Sequence, residues 1–205
     1  MLTICVPCQD TVTSLFANSL AKLTSHLTKD GINYHLYFLT GTVLSESRQR
    51  LAEDAVKNGS KYILWLDTDM YFTPNIFSLL QKHNKPIVAA TYSTRKPPFR
   101  SVAFTDEFDY DKRLNEKSGL HSVFAVGMGC MLTETNVFKD LPKPWFPIVW
   151  DLESNSYVGE DISFCKLAYN NGYEIFVDVD ASKNVAHTGN KLFLLGETDE
   201  YNTKI

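Results

Sequence analysis

Two aspartates one residue apart, Asp67 and Asp69, directly follow a bulky apolar run from Tyr62 to Leu66. The run is short and is bounded by Gly59-Ser60 and Thr73-Pro74, which predicts a strand buried on both faces of a parallel sheet. Two carboxylates at the end of such a strand repel each other unless a cation lies between them. Because Mg²⁺ and Mn²⁺ accept a few carboxylate ligands beside phosphates and water, we predict a divalent-metal site here. The alternative is a solvated turn.

Three further places in the sequence carry groups capable of chemistry. Glu160 and Asp161 follow Gly159 at a predicted helix start, where the dipole favours acidic residues; one of them is also a candidate general base. The imidazole of His187 is a suitable metal ligand, although a lone histidine is also a common structural residue. Arg48 lies in the first turn of a predicted helix, where a cation is unfavourable unless an anion such as a phosphate binds. The alternative is that Arg48 lies on a solvent-exposed face of this helix and binds no ligand.

The elements that position these groups alternate regularly in the first half of the chain. Strands are predicted at 2–7, 32–39, 62–66 and 86–90, and helices begin near Asp10 or Thr11, at Ser45 and at Thr73-Pro74. This order predicts right-handed crossovers and a mostly parallel α/β sheet flanked by helices. Residues 93–120 are rich in charge and predict a long loop or lid, with an edge strand near 102–104. With no repeat and no linker, residues 1–205 are expected to form one domain.

The composition excludes several functional classes. The 205 residues include 44% apolar and 21% charged residues, with a net charge of −4, which argues against a basic nucleic-acid-binding surface. No apolar run approaches the roughly 20 residues of a membrane span. The first residues contain no basic segment ahead of an apolar one, so we expect no signal peptide and a cytoplasmic location. Cys5 and Cys8 have redox or zinc spacing, but Cys130 and Cys165 stand alone, so free, mostly buried thiols are predicted.

The ordered set of these motifs resembles the GT-A glycosyltransferases of the family 2 type. The set comprises the Arg48 helix, Leu66-Asp67-Thr68-Asp69, Ala125 to Gly129, Pro144-Trp145-Phe146, Gly159-Glu160-Asp161 and His187-Thr-Gly189. The resemblance covers roughly residues 2 to 190. It implies a GT-A, Rossmann-like fold with a small antiparallel addition in the C-terminal half.

The resemblance also implies a function and a distribution of roles. The donor is a nucleotide-diphosphate sugar (UDP- or GDP-sugar), and the acceptor hydroxyl lies on a glycan, a protein or a lipid-linked molecule. Mn²⁺ or Mg²⁺ is held by Asp67, Asp69 and His187, and Asp161 or Glu160 is the base of an inverting transfer. Residues 1–92 form the nucleotide-binding half, 93–120 a lid and 121–205 the acceptor-side half and tail. The donor-binding residues are Pro7, Gln9, Arg48, Asp67, Thr68, Gly129 and Trp145.

The chain departs from this family after the carboxylate helix. Phe164-Cys-Lys166 stands where many of these enzymes carry an arginine-containing motif, and only a short tail follows Gly189. Three alternatives stay open: a phosphatase with an aspartate nucleophile, a nucleotidyltransferase, and a non-catalytic module that binds nucleotide sugars or glycans. The phosphatase has a specific conflict with the sequence, because Met70-Tyr71 follows Asp69 where that class requires Thr or Val.

Overall fold

A computed structural model describes residues 1–107, 109–152 and 155–189, and the backbone alone of 192–194. The helices are α1 Ser14–Lys29, α2 Leu44–Lys57, α3 Ile76–Gln81, α4 Thr135–Asp140, α5 Glu160–Asn170 and α6 Val179–Ser182. The strands are β1 Leu2–Cys8, β2 Tyr34–Thr40, β3 Tyr62–Leu66, β4 Met70–Phe72, β5 Ile87–Ala89, β6 Ala103–Phe104, β7 Leu120–Val123, β8 Ala125–Val126, β9 Cys130–Glu134, β10 Val149–Asp151, β11 Ser156–Val158, β12 Ile175–Asp178, β13 Val185–Thr188 and β14 Leu192–Leu194.

The central sheet has seven strands in the order β2-β1-β3-β9-β5-β12-β7. Strands β2, β1, β3, β5 and β12 run in one direction, and β9 and β7 run against them. The predicted fold class, a mostly parallel α/β sheet flanked by helices, is confirmed. The sheet differs from a fully parallel one in its centre, because β9 lies between β3 and β5 and pairs antiparallel with both.

Alternating side chains on the central strands build a core on each face of the sheet. Ile4 of β1 and Leu64 of β3 belong to the cluster beneath α1 and α3. Cys5 and Trp65, one residue further along each strand, belong to the cluster beneath α2, α4 and α5. Both faces of these strands are therefore buried, as their continuous apolar sequences predict. Because burial holds each strand in place, it also fixes the position of the residues that follow the strand at its carboxyl end.

The cysteines are free, as predicted. Cys5, Cys130 and Cys165 are buried, and Cys8 at the end of β1 is half-buried. Burial raises the pKa of the Cys130 and Cys165 thiols to about 12, so neither forms a thiolate at neutral pH.

Helix boundaries differ from the predicted ones at their first residues. Thr13, rather than Asp10 or Thr11, caps α1, because its Oγ1 accepts a hydrogen bond of 3.1 Å from the Phe16 N–H. Helix α2 begins at Leu44, which places Ser45 inside the first turn. Helix α3 begins at Ile76, two residues after the predicted proline.

Small antiparallel sheets complete the fold and hold the site. Strand β4, which follows Asp69, pairs with β13, and β13 pairs with β14. Strands β10 and β11 form a hairpin immediately before α5. The 93–120 segment is more ordered than a simple loop, because it contains β6 and bridges between Ser93 and Ser101 and between Phe104 and Arg113. Among the described helices, none combines the length and apolar character of a membrane span.

Candidate functional site

A cleft of about 280 Å³ opens at the carboxyl ends of β1 and β3. This is the edge at which open α/β sheets bind ligands. The fold brings five of the predicted site residues together on its walls, alongside parts of the turn after β2 and the start of α2. The lining residues are Pro7, Cys8, Gln9, Gly41, Thr42, Leu44, Ser47, Asp67, Thr68 and Asp69.

Arg48 is a buried cation beside this cleft. Only 1% of its surface is exposed, and its Nη2 donates to Asp67 Oδ1 at 2.8 Å while its Nε donates to Glu160 Oε1 at 3.2 Å. Burial opposes the charge, but the carboxylates of Asp67 and Glu160 outweigh it and raise the pKa of Arg48. Its Nη1 is buried and has no hydrogen-bond partner within the described residues. Arg48 therefore links the cleft to the start of α5.

Asp69 has an arginine partner of its own. Arg95 Nη1 lies 3.0 Å from Asp69 Oδ2, and the two side chains are 51% and 31% exposed. The backbone of Asp69 is held from β13, since its carbonyl accepts from the Thr188 N–H at 2.6 Å and from Thr188 Oγ1 at 2.9 Å. In this structure a separate guanidinium neutralises each of the two aspartates.

His187 is held in one tautomer. Its Nδ1 lies 2.7 Å from the Ser93 carbonyl oxygen, which can only accept, so Nδ1 carries the proton and Nε2 keeps a lone pair. Burial lowers the pKa of His187, which favours the neutral ring that a metal ligand requires. The pairing of β13 with β4 places His187 opposite Met70, next to Asp69.

These groups fit a divalent cation in their chemistry, but the predicted three-ligand set is not assembled. Asp69 offers carboxylate oxygens and His187 a free Nε2, while Asp67 is engaged by Arg48. Across the described residues, no three His, Cys, Asp or Glu side chains lie close enough together to hold a metal ion. The donor set suits a hard cation that obtains its remaining ligands from phosphates and water.

The two acidic residues at the start of α5 have different environments. Glu160 accepts from Arg48, whereas Asp161 Oδ1 accepts from the Ile162 N–H at 2.8 Å. Within the described part of the chain Asp161 has no ion-pair partner. Burial, and then the charge of Glu160, raises the pKa of Asp161 from 3.8 to about 6. Such a carboxyl group can accept a proton near neutral pH.

Two residues that the resemblance assigns to donor binding also have packing roles. Gly129 donates its N–H to Tyr92 Oη at 2.9 Å, and a Cβ at this position would lie 2.6 Å from that oxygen, so only glycine fits beneath Tyr92. Its carbonyl accepts from the Asp67 N–H, which keeps it close to the site. Trp145 is buried, stacks edge-on against Phe138 and donates its Nε1–H to a backbone carbonyl. It is not among the residues that line the cleft, and its contact with the donor stays a prediction.

Two residues near the site were not predicted. Tyr92 lies beneath the cleft, and its ring centroid is 4.3 Å from that of His187. Arg95 reaches Asp69 from the charge-rich segment that the sequence predicts as a loop. Neither residue belongs to a motif, and the only sequence signal was the change in composition that begins after Tyr92.

No protein-family model and no curated protein matches the sequence. Solved structures do match. The structure of A197 from STIV has a TM-score of 0.62 at 14% identity, covering 96% of this chain and 94% of that one. The nucleoside-diphosphate-sugar pyrophosphorylase from Vibrio cholerae RC9 has a TM-score of 0.55 at 11% identity, covering 91% and 95%. At these identities the likeness shows the fold alone, over nearly the whole chain.

Glycosyltransferases are also among the matched structures, as the resemblance predicts. The structure of S. aureus TarS 1-349 in complex with UDP-GlcNAc matches with a TM-score of 0.49 at 14% identity, covering 87% of this chain and 56% of that one. A Drosophila galactosyltransferase 7 mutant in complex with manganese, UDP-Gal and xylobiose matches with a TM-score of 0.47 at 15% identity, covering 98% and 73%. Likenesses at this level carry no weight for the activity of this chain.

Proposed function

We propose that this chain is a metal-dependent glycosyltransferase that moves a sugar from a UDP- or GDP-sugar to an acceptor hydroxyl with inversion. One observation carries the proposal: buried Arg48 joins Asp67, in the cleft at the end of β3, to the helix that bears Asp161. A ligand-sized cleft, paired aspartates and a carboxyl group of raised pKa are thereby held in one rigid arrangement.

The donor half, residues 1–92, supplies the nucleotide side of the cleft. Pro7 and Gln9 line the end of β1 and are placed to contact the nucleoside. Asp69 and His187 would hold Mn²⁺ or Mg²⁺, which when bound would neutralise the charge that develops on the diphosphate leaving group. Asp67 pairs with the buried guanidinium of Arg48, whose positive charge adjoins the cleft and would favour an anionic ligand there.

Asp161 takes the proton of the acceptor hydroxyl as that oxygen attacks the anomeric carbon. The attack comes from the face opposite the departing diphosphate, so a single displacement inverts the configuration. A pKa of about 6 leaves most of the Asp161 carboxylate ionised at neutral pH while keeping it basic enough to accept the proton. Glu160 acts through Arg48 and is a positioning residue.

The acceptor side of the proposed site is the β10–β11 hairpin. Trp150 and Tyr157 are 45% and 71% exposed, and their rings meet edge-on with centroids 4.9 Å apart. The hairpin continues through Val158 and Gly159 directly into α5, which carries Asp161. Exposed aromatic rings beside a catalytic carboxylate suit a glycan acceptor, whose sugar rings present apolar faces for stacking.

The two main alternatives differ from this proposal in specific ways. A nucleotidyltransferase needs a phosphate-binding loop after the first strand, but the turn Cys8-Gln9-Asp10 provides neither glycines nor basic side chains. A non-catalytic binding module has no use for a carboxyl group of raised pKa on the helix that Arg48 links to the cleft.

A panel of nucleotide sugars with Mn²⁺ tests the proposal. Thermal shift and slow donor hydrolysis are measured for the native chain and for Asp69→Ala. We expect one or a few UDP- or GDP-sugars to stabilise the native chain, and the substitution to remove the metal-dependent part of that shift. If no nucleotide sugar stabilises the chain, and Asp69→Ala changes nothing, the proposed function is wrong.

A further inference from the structure

Arg95 is placed at the rim of the donor cleft by a tight turn. Ser93 and Ser101 form an antiparallel bridge, and the Thr94 N–H donates to the Arg100 carbonyl at 2.9 Å. Thr94 Oγ1 lies 3.1 Å from the carbonyl oxygens of Lys96 and Pro98 and accepts from the Arg100 N–H. The segment 93–101 is therefore a closed turn whose backbone is fixed from within.

The same turn contacts both candidate metal ligands. Ser93 accepts a hydrogen bond from His187 Nδ1, and Arg95 pairs with Asp69. Arg95 thus pairs with the Asp69 carboxylate that a cation would need, while the Ser93 carbonyl orients the His187 imidazole. Arg95 is paired with Asp69 Oδ2, so a cation that binds through this oxygen displaces the guanidinium, and a cation that binds through Oδ1 is repelled by its charge. Binding of a cation at Asp69 therefore favours release of Arg95.

Release of Arg95 has a small energetic cost. The pair is substantially exposed on both sides, and exposed ion pairs contribute only about 0–1 kcal/mol. The freed guanidinium remains tethered beside the cleft, where its planar donors match phosphate oxygens. An arginine on a rigid turn is well suited to this exchange, because the backbone need not move when the side chain changes partner.

We propose that Arg95 exchanges partners during donor binding: it pairs with Asp69 in the free protein and with the donor diphosphate once a metal ion occupies Asp69. This assignment rests on the proposed function. It makes Arg95 a donor-binding residue that opposes binding of the metal alone and favours binding of the metal together with the nucleotide.

Two binding measurements on Arg95→Ala test this assignment, because it predicts effects of opposite sign. Mn²⁺ is titrated into the protein without nucleotide, and free Mn²⁺ is followed by electron paramagnetic resonance. The Mn²⁺ dissociation constant is expected to fall about two- to fivefold, since an exposed ion-pair competitor is lost. UDP and GDP are then titrated at saturating Mn²⁺ by calorimetry, and the dissociation constant of the diphosphate that binds is expected to rise about tenfold.

The control is Arg100→Ala, which removes a guanidinium from the same turn that pairs with Asp111 instead. It is expected to leave both constants within about twofold of the native values, and Arg95→Lys is expected to restore part of the nucleotide affinity. Effects of the same sign on Mn²⁺ and nucleotide, or no effect on either, would overturn the role of Arg95 alone. Failure of the native chain to bind either diphosphate would overturn the proposed function and this assignment with it.

Discussion

The raised pKa of Asp161 has a consequence for stability that can be worked out from the structure. A carboxyl group whose pKa is higher in the folded than in the unfolded protein retains its proton more strongly when folded. As pH rises through the interval from 3.8 to about 6, the unfolded state loses that proton first, so the folded state loses stability. Each unit of difference between the folded and unfolded pKa corresponds to about 1.4 kcal/mol, so the loss of folding free energy at neutral pH is at most roughly 3 kcal/mol.

Asp161→Asn removes this charge while keeping the side-chain shape. The amide oxygen can still accept from the Ile162 N–H, so the local hydrogen bond is preserved. We expect the variant to have a free energy of unfolding about 1–3 kcal/mol higher than the native chain at pH 8, and a difference near zero at pH 3. Urea unfolding followed by tryptophan fluorescence across this pH range measures the difference.

Glu160→Gln is the matched control for this prediction. It also removes one charge from the start of α5, but it takes a carboxylate from buried Arg48 and is expected to destabilise the fold by about 1–3 kcal/mol at pH 8. Opposite signs for two adjacent substitutions would be hard to explain by general surface charge. A destabilised Asp161→Asn, or a difference that does not change with pH, would refute the reasoning.

Three further predictions concern the site. Arg48→Met leaves two partly buried carboxylates unpaired, so it should lower the free energy of unfolding by about 3 kcal/mol. Because Arg48 lowers the pKa of Asp161, the variant should also move the acidic limb of the pH dependence of the transfer rate to higher pH. An acidic limb at the native pH would contradict the electrostatic effect of Arg48 on Asp161. The native rate of transfer should rise with pH through about 6, because the base must be ionised, and a rate that falls over this range would exclude that role. Trp150→Ala should raise the KM for a glycan acceptor several-fold and leave the donor affinity unchanged. An equal loss of affinity for donor and acceptor would contradict the assignment of the hairpin to the acceptor side.

Local sequence patterns were sufficient for the elements whose residues pack against their own neighbours. The apolar run from Tyr62 to Leu66 is the observed β3 without a change of boundary, because each of its side chains is buried and nothing competes with the strand. The insertion of β9 between β3 and β5 was not predicted. Cys130 to Glu134 pairs with strands far away in the sequence, and no local pattern records which partners a buried strand chooses.

The site likewise contains residues whose positions could be predicted and contacts between distant residues that could not. The family resemblance implied that Pro7 and Gln9 share the donor site with Asp67 and Asp69. All four residues line one cleft, because the ends of neighbouring strands meet at one edge of the sheet. The sequence could not assign the cation partners of the aspartates. Arg48 and Arg95 are 19 and 26 residues away from Asp67 and Asp69 in the chain, and long flexible side chains reach their partners only through the tertiary fold.

Trp145 is a residue for which the family resemblance and the packing point to different roles. The resemblance implies that Trp145 contacts the donor, but a large apolar side chain is also stabilised by burial in the core. The aromatic cluster with Phe138 buries Trp145 and leaves no ring face exposed to the cleft.

The most direct test of the central claim is the donor turnover of Asp161→Asn compared with its donor affinity. The nucleotide sugar that stabilises the native chain is titrated with Mn²⁺ into the variant, and its transfer or slow hydrolysis is followed in a single turnover. We predict a donor dissociation constant within about twofold of the native value and a rate lower by roughly 10²–10⁴-fold. Loss of donor binding in the variant, or retention of its rate, would contradict the assignment of Asp161 as the base.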